Sequence, residues 1–295
     1  MYVPAERSFI SAIKNLYQVK LGNKSLVTFH EEFENAKKKI SPKGLRFPIN
    51  DVSVEHDRLN DIVNLKGEDY KIRLTEASSG FLSSVPLFLV SWYLSEAVEK
   101  NDESLVGSFE TQRFKKDVKE IWENESLTND QRRAALSVLS SRFKKTAFIN
   151  IVEEPELNLF PSSQRSLLNS LLKLNNAKRG TNDNKLIMTT HSPYIINYLS
   201  IAIQGFQLHT KLNKQAKLSS SETFKNHFIK FEEIVPEKSA ISPNEVAVYQ
   251  LDEKTGSISL LEDYEGIPSD SNYLNQGLND ANKLFDELLD IEETI

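Results

Sequence analysis

The sequence predicts an α/β protein built on a parallel sheet flanked by helices, and three observations indicate this class. A compact apolar run, Thr146 to Val152, precedes a stretch with leucines at helical spacing, Ser162 to Leu174. A second apolar run, Lys185 to Thr190, precedes a helix that opens at Pro193. Both runs are typical of strands buried on two faces, and their alternation with helices favours a parallel sheet. Ligands bind such sheets beyond the carboxyl ends of the strands.

The residues before the first of these strands predict a lobe of helices and small strands. Apolar residues recur at helical spacing within Glu6 to Lys39, and short alternating segments lie between Pro42 and Leu74. Phe81 to about Lys100 predicts a buried helix, in which a proline is tolerated only near the first turns or at a kink. Glu110 to Phe143 predicts a polar helical stretch. We therefore divide the chain into a lobe over residues 1–145 and an α/β core over residues 146–295.

The end of the chain predicts a hairpin and a helix. Val246 to Gln250 and Ser257 to Leu261 flank the turn sequence LDEKTG. Asn275 to Ile295 predicts an acidic amphipathic helix with an apolar face. That face contains Leu278, Ala281, Leu284, Phe285, Leu288 and Leu289.

The composition excludes several kinds of site. The 295 residues include no cysteine, which excludes disulfides, thiolate zinc sites and cysteine nucleophiles. The five histidines lack the short spacings of a metal site on a helix. A net charge of −6 argues against nucleic-acid binding over the whole surface and leaves a local basic patch open. The N-terminus lacks a signal-peptide pattern, and Phe81 to Val98 falls short of the roughly 20 apolar residues of a membrane span. We expect a soluble, cytoplasmic protein with no membrane partner.

Two adjacent carboxylates, Glu153 and Glu154, follow the first predicted strand in FINIVEEPELNLFP. Carboxylate oxygens suit Mg²⁺, so Glu153 is a candidate metal ligand. Glu154 could then accept a proton from water attacking a γ-phosphate. The alternative is that the charged pair merely ends a buried strand.

Two further elements point to phosphate chemistry. His191 ends the second predicted strand in TTHSPY, where an imidazole could donate a hydrogen bond to a phosphate or to the attacking water. Ser78, Ser79 and Gly80 lie in EASSGFLSS, just before a helix, where free N–H groups form an anion site. A structural histidine and an ordinary helix cap are the alternatives.

The order of these three elements resembles the second half of an ABC-type ATPase: signature motif, Walker B strand with D-loop, and switch histidine. More narrowly, EEPELNLFP, TTHSPYIINYL and the opening YVPAER look like the bacterial AAA-family ATPases of the OLD, RecF and SMC-like group. The resemblance extends from Tyr2 to about Glu292, and only residues 76–84, 147–161 and 186–199 are specific. It implies a P-loop NTPase-like sheet with an inserted helical signature lobe.

The resemblance also implies residue roles. Glu153 would aid Mg²⁺ binding, Glu154 would be the catalytic base and His191 would sense the γ-phosphate of ATP. Ser78 and Gly80 would contact nucleotide held by an opposing subunit. Glu153 stands where the family more often has Asp, and Phe160 stands where many relatives carry Asp or His in the D-loop.

One element of the resemblance is not found in this chain. None of its ten glycines is followed by lysine, so the Walker A pattern G-x-x-x-x-G-K-[ST] does not occur. The family places that motif on an earlier strand, which we expect to be missing here, leaving apolar edges in the sheet.

The residues leave three functions open. The first is the signature, Walker B and switch-histidine part of an ATPase. It would act in a head-to-tail homo- or heterodimer, coupled to DNA-related work or phage defence. The second is a binding or regulatory module that completes the nucleotide site of a Walker A-containing partner. The third is an inactive remnant. We expect negligible ATPase activity from the chain alone.

Overall fold

The structure, a computed structural model, describes residues 1–12, 23–100, 108–142, 146–177, 183–216 and 222–293. Its α-helices in the described residues are α1 (Ser8–Ala12), α2 (Lys24–Lys39), α3 (Ser79–Lys100), α4 (Ser108–Glu123), α5 (Asn129–Arg142), α6 (Pro161–Asn175), α7 (Pro193–Ala216), α8 (Glu222–Ile234) and α9 (Tyr273–Glu293). Its strands are β1 (Tyr2–Val3), β2 (Leu45–Arg46), β3 (Ser53–Asp57), β4 (Ile62–Lys66), β5 (Lys71–Arg73), β6 (Ile149–Glu153), β7 (Lys185–Thr189), β8 (Tyr249–Leu251), β9 (Ile258–Leu260), β10 (Asp263–Tyr264) and β11 (Ile267–Pro268).

A parallel sheet of three strands, in the order β1-β6-β7, forms the α/β core and confirms the predicted class. The first strand pairs Tyr2 with Ile151 and Val3 with Val152. No pattern could have predicted it, because two residues show no alternation. Glu6 to Lys39 does contain helices, although residues 13–22 lie outside the described residues.

The two core strands are not buried on both faces, which corrects the prediction. Lys185 donates its N–H to the Phe148 carbonyl (3.0 Å) and Glu154 donates to the Thr189 carbonyl (2.9 Å). This parallel register puts the odd-numbered residues of β6 and β7 on one face. On that face Ile149 is 46% exposed and Ile187 48% exposed. An apolar run shows that a strand is hydrophobic, but it does not show that a neighbouring element covers both faces.

One compact unit comprises Met1–Arg46, Ser53–Val152 and Ala177–Ile187. Its central helix, α3, is buried along most of its length and packs against α1 and α2. The Asn150 amide donates a hydrogen bond to the Ser91 hydroxyl at 3.0 Å, which links the even face of β6 to this helix. An antiparallel sheet in the order β2-β3-β4-β5 completes the unit and confirms the small strands predicted before Leu74.

Helix α3 also contains the apolar segment considered above as a membrane span. Among the described residues, Ser79–Glu99 is long and apolar enough to cross a membrane by length and composition, which corrects the expectation that this segment falls short of a span. Its most apolar window is 78% buried inside the protein, as in a core helix. Pro86 lies in its second turn.

The second compact unit comprises Phe47–Val52, Glu153–Asn176 and Met188–Ile295. Helices α6 and α7 pack together, and α7 also packs against α8. A buried cluster of Leu212, Phe231, Val235 and Ala240 lies at the α7–α8 contact. The predicted hairpin is present as β8 and β9, and the predicted amphipathic helix as α9.

The polar stretch predicted from Glu110 to Phe143 forms two helices, α4 and α5, separated at residues 124–128; Phe143 lies outside the described residues. The division of the chain at residue 146 into two functional domains stays a prediction. Compact units follow packing, and both units here combine segments distant in the chain.

Candidate functional site

The turn after β6 holds Glu154 in an uncommon backbone conformation. Its φ is 43°, in the left-handed region that side chains rarely adopt. Two hydrogen bonds hold it there: its N–H donates to the Thr189 carbonyl at 2.9 Å, and its carbonyl accepts from the Leu157 N–H at 3.1 Å. Backbone held in sparsely populated regions clusters at functional sites. The carboxylate is therefore presented by a turn that is held at both ends.

Glu156 joins this turn to the end of β7. Its Oε1 accepts a hydrogen bond from the Thr190 hydroxyl at 2.8 Å and another from the His191 backbone N–H at 2.7 Å. No role for this third carboxylate of EEPE was predicted from the sequence. Its spacing after the strand end was visible, but its partners lie 34 and 35 residues further along the chain.

His191 is anchored by its backbone and open at its side chain. The imidazole is 85% exposed, and its Nε2 lies 4.0 Å from Oε1 of Glu154, which is 35% exposed. At 4.0 Å the two groups lie close together but do not form a hydrogen bond. A phosphate or water approaching this end of the sheet could thus reach both side chains.

A second link braces the residues after His191. The Ser192 hydroxyl donates to Oε1 of the Gln164 side chain at 2.6 Å, and both residues are buried. The Gln164 amide in turn donates to the Leu159 carbonyl at 3.0 Å. The loops that follow β6 and β7 are therefore connected through Glu156 and through Gln164.

The acidic groups fit Mg²⁺ only in part. Glu153 ends β6 on the same face as Ile149 and Ile151, and its hard oxygens suit the ion. One oxygen of Glu156, Oε2, is buried without a hydrogen-bond partner. Within the described ranges, however, no three Asp, Glu or His side chains are grouped to hold a metal. Mg²⁺ often uses one or two carboxylates and completes its shell with water and substrate phosphates. Glu153 and its neighbouring acids could hold Mg²⁺ in this way, through one or two carboxylates.

The predicted signature turn lies in the first compact unit, at the start of α3. The helix begins at Ser79, and the Ser78 carbonyl accepts the N–H of Leu82 at 3.0 Å. Ser78 and Ser79 are exposed, whereas Gly80 is buried. The first N–H groups of an α-helix have no partner within the helix, so this end suits an anion.

Two residues near the N-terminus hold that helix start in place. Arg7 is fully buried and donates from Nε to the Ser83 carbonyl and from Nη1 to the Pro4 carbonyl, both at 3.1 Å. The Ser11 hydroxyl donates to the Leu82 carbonyl at 3.0 Å. Sequence reasoning missed both roles, although Arg7 belongs to the quoted YVPAER. A buried arginine cannot be recognised without its partners.

The structure thus brings Glu154 and His191 together, with Glu153 adjacent in the chain. Carboxylates and a histidine thus lie at the carboxyl ends of parallel strands, the edge at which sheets of this class bind their ligands. A family model described as "AAA ATPase domain" matches residues 8–196, more than half of the chain. The chain belongs to this family of ATPase domains, as the sequence predicted. No curated protein matches it.

Family membership supports ATP hydrolysis as the activity of the domain and implies nucleotide binding, usually with Mg²⁺. The match covers the helix start at Ser79, the turn with Glu153 and Glu154, and His191.

Proposed function

We propose that this chain is the signature, Walker B and switch-histidine part of an ABC-type ATPase that hydrolyses ATP between two subunits. The observation that carries the proposal is the pairing of Glu154 and His191 at 4.0 Å, on loops joined by Glu156. That pairing supports the proposal because it brings a carboxylate and an imidazole together at the edge where a parallel sheet binds its ligand.

In this proposal Glu154 is the general base. Its carboxylate accepts the proton of the water that attacks the γ-phosphate, provided that the water lies within hydrogen-bonding reach. The held turn keeps this carboxylate oriented before ATP arrives, so no reorganisation is needed at the moment of reaction. His191 donates a hydrogen bond to a γ-phosphate oxygen, and Glu156 positions it through the backbone N–H.

In this proposal Glu153 is the residue that contacts the metal ion. It would contact Mg²⁺ together with waters and the phosphates of ATP, and the ion would neutralise charge on those phosphates. Its side chain reaches one methylene further than an aspartate would. Ser78, Ser79 and Gly80 would contact the γ-phosphate of ATP held by the opposing subunit, because the start of α3 offers N–H groups to an anion.

The other half of the site comes from a Walker A-containing polypeptide or a second ATPase subunit. The 295 residues contain no glycine followed by lysine, the pair that ends a phosphate-binding loop. In the part of the chain that the structure describes, β7 is the last strand of the parallel sheet, and Ile149 and Ile187 are exposed on one face. Both features support a covering partner. We place the complex in the cytoplasm and propose that it is coupled to DNA-related work or phage defence.

The second candidate is a non-catalytic module that completes a partner's nucleotide site. The same lack of a Gly-Lys pair favours it. Titration of the isolated chain with Mg-ATP tests the shared premise: we expect no binding of micromolar affinity and negligible hydrolysis. Micromolar binding would show that the chain holds nucleotide without a Walker A loop, and both candidates would then be wrong on that point.

Mutation separates the two candidates in a complex with a Walker A-containing ATPase subunit. Glu154→Gln keeps the size of the side chain and removes its basicity. We expect ATP-dependent association to persist while turnover is lost. Glu253→Gln, an exposed change in the β8–β9 turn, is the control. Unchanged turnover in the Glu154 variant would favour the non-catalytic module.

A further inference from the structure

The last helix, α9, displays an apolar face that nothing in the described part of the chain covers. The helix has 21 residues, and none of them is buried. Apart from Leu274, which is half-buried at the helix start, its large apolar side chains are 43–65% exposed. They include Leu278, Leu284, Phe285, Leu288, Leu289 and Ile291. Most helical stability in proteins comes from packing of such a face. A helix roughly 31 Å long, with 1.5 Å of rise per residue, therefore lacks its main source of stability.

The spacing of this face is that of a helix-pairing seam. Leu274, Leu278, Ala281, Phe285 and Leu288 follow one another at intervals of four, three, four and three residues. Alternating intervals of three and four keep one stripe of a helix facing a partner helix along its whole length. From Leu274 to Leu288 the seam contains no charged residue, and the next position at this spacing is Glu292.

The charges of α9 indicate the direction of the partner helix. Residues 273–279 carry no charge, whereas residues 286–293 include five acids: Asp286, Glu287, Asp290, Glu292 and Glu293. Acids at a helix C-terminus oppose the helix dipole. A parallel copy would place the two acidic ends together. An antiparallel copy places each acidic end beside the uncharged N-terminal end of the other, which carries the positive pole of its dipole.

The side-chain sizes agree with an antiparallel pair. A two-fold axis near Lys283 puts Leu278 opposite Leu288 of the second copy, and Ala281 opposite its Phe285. Each bulky ring then faces a small residue, so the part of the seam from Leu278 to Leu288 fills without a void. Leu274 lies opposite Glu292 of the second copy in this register. Leu284 meets its own equivalent beside the seam. The interface uses the same patch twice, as a closed two-fold dimer requires.

We infer that α9 is a dimerisation helix that pairs antiparallel with α9 of a second copy of this chain. This pairing needs no nucleotide, which distinguishes it from an ATP-dependent association of ATPase subunits. It therefore stands or fails independently of the proposed function.

Sedimentation equilibrium of the full chain without nucleotide tests the pairing at concentrations up to roughly 100 µM, where weak specific dimers form. We expect a dimer that Leu288→Asp weakens at least tenfold. Leu288 is already exposed in the single chain, so this change leaves folding intact. Asn279→Asp adds the same charge outside the seam and is the matched control. Every sample also carries Ile187→Lys, so that association at the edge of β7 does not contribute. A monomer throughout the range, or a dimer that ignores Leu288→Asp, overturns the inference.

Cysteine cross-linking tests the direction, because the chain has no cysteine of its own. Asn282→Cys lies beside the two-fold axis, so the antiparallel pair should form a disulfide between copies. Leu274→Cys lies near the helix start, and its two copies meet only in a parallel pair. Cross-linking of the Leu274 variant without cross-linking of the Asn282 variant would overturn the antiparallel arrangement.

Discussion

Replacing Glu156 by alanine should loosen the connection between the two loops of the candidate site. Its Oε1 accepts two hydrogen bonds, at 2.8 Å from Thr190 and 2.7 Å from the His191 N–H. Hydrogen bonds to charged groups contribute about 1.5–3 kcal/mol each. Water can replace the carboxylate at the exposed His191, so we expect Glu156→Ala to lower the free energy of unfolding by about 1–3 kcal/mol in total.

Urea unfolding followed by circular dichroism measures this loss. Amide hydrogen exchange adds a local readout: the His191 N–H should exchange faster in the variant because its acceptor is gone. Glu253→Ala, in the exposed β8–β9 turn, is the control and should lie within about 0.5 kcal/mol of the wild type. Equal stability of the two variants, with unchanged hydrogen exchange at His191, would show that Glu156 does not connect the two loops.

A double-mutant cycle isolates the hydrogen bond to Thr190. Thr190→Val removes the hydroxyl, which also accepts the Ser192 N–H at 3.0 Å. The coupling between Glu156→Ala and Thr190→Val should exceed about 0.5 kcal/mol, the usual limit of additivity for groups not in contact. Thr190→Ser keeps the hydroxyl and should retain the coupling. A coupling of zero would mean that the contact between Glu156 and Thr190 contributes nothing to stability.

Two further predictions concern the first compact unit. The hydrogen bond from His56, followed by that from Lys37, holds the pKa of the Asp61 carboxyl below its ordinary value. Because the pKa of Asp61 is lower in the folded protein than in the unfolded chain, its carboxylate stabilises the fold at pH values above the unfolded pKa of about 3.9. This stabilisation is lost as the pH falls through the pKa of the folded state. The stability gap between wild type and Asp61→Asn should thus be present at pH 7 and close below about pH 4 in urea unfolding; a gap independent of pH would contradict this. Arg7→Met removes the hydrogen bonds from Nε to the Ser83 carbonyl and from Nη1 to the Pro4 carbonyl. Thermal unfolding should therefore show a loss of about 1–3 kcal/mol, and an unchanged melting temperature would count against these bonds.

Sequence reasoning predicted the elements whose pattern is long. Helices α3, α6 and α9 begin and end within a few residues of the predicted limits. Helices α6 and α9 have at least three turns of periodic apolar residues, and α3 is a long, nearly continuous apolar segment. The two strand ends that carry Glu154 and His191 were predicted because apolar runs end there in charge. Strand β1 was missed, since two residues carry no periodicity.

What sequence reasoning could not supply is the partner of each polar group. Glu156 and Arg7 are both visible in the sequence, but their roles depend on their hydrogen-bond partners. Those partners can be identified only once the fold is known. The prediction that β6 and β7 are buried on both faces was wrong for a related reason. Ile149 and Ile187 are as apolar as any core residue, and only neighbouring elements decide whether such residues are covered.

The uncovered edge of β7 has a consequence for how the chain behaves in a cell. β7 is the last strand of its sheet in the described residues, and no proline interrupts it. Its backbone groups and Ile187 form a template on which another extended chain can add. Copies made in excess of whatever covers this edge should therefore self-associate and be removed by proteases. Light scattering of the purified chain measures this self-association, and we expect less of it in the Ile187→Lys variant. We expect balanced synthesis with a covering partner to determine how much of the protein persists.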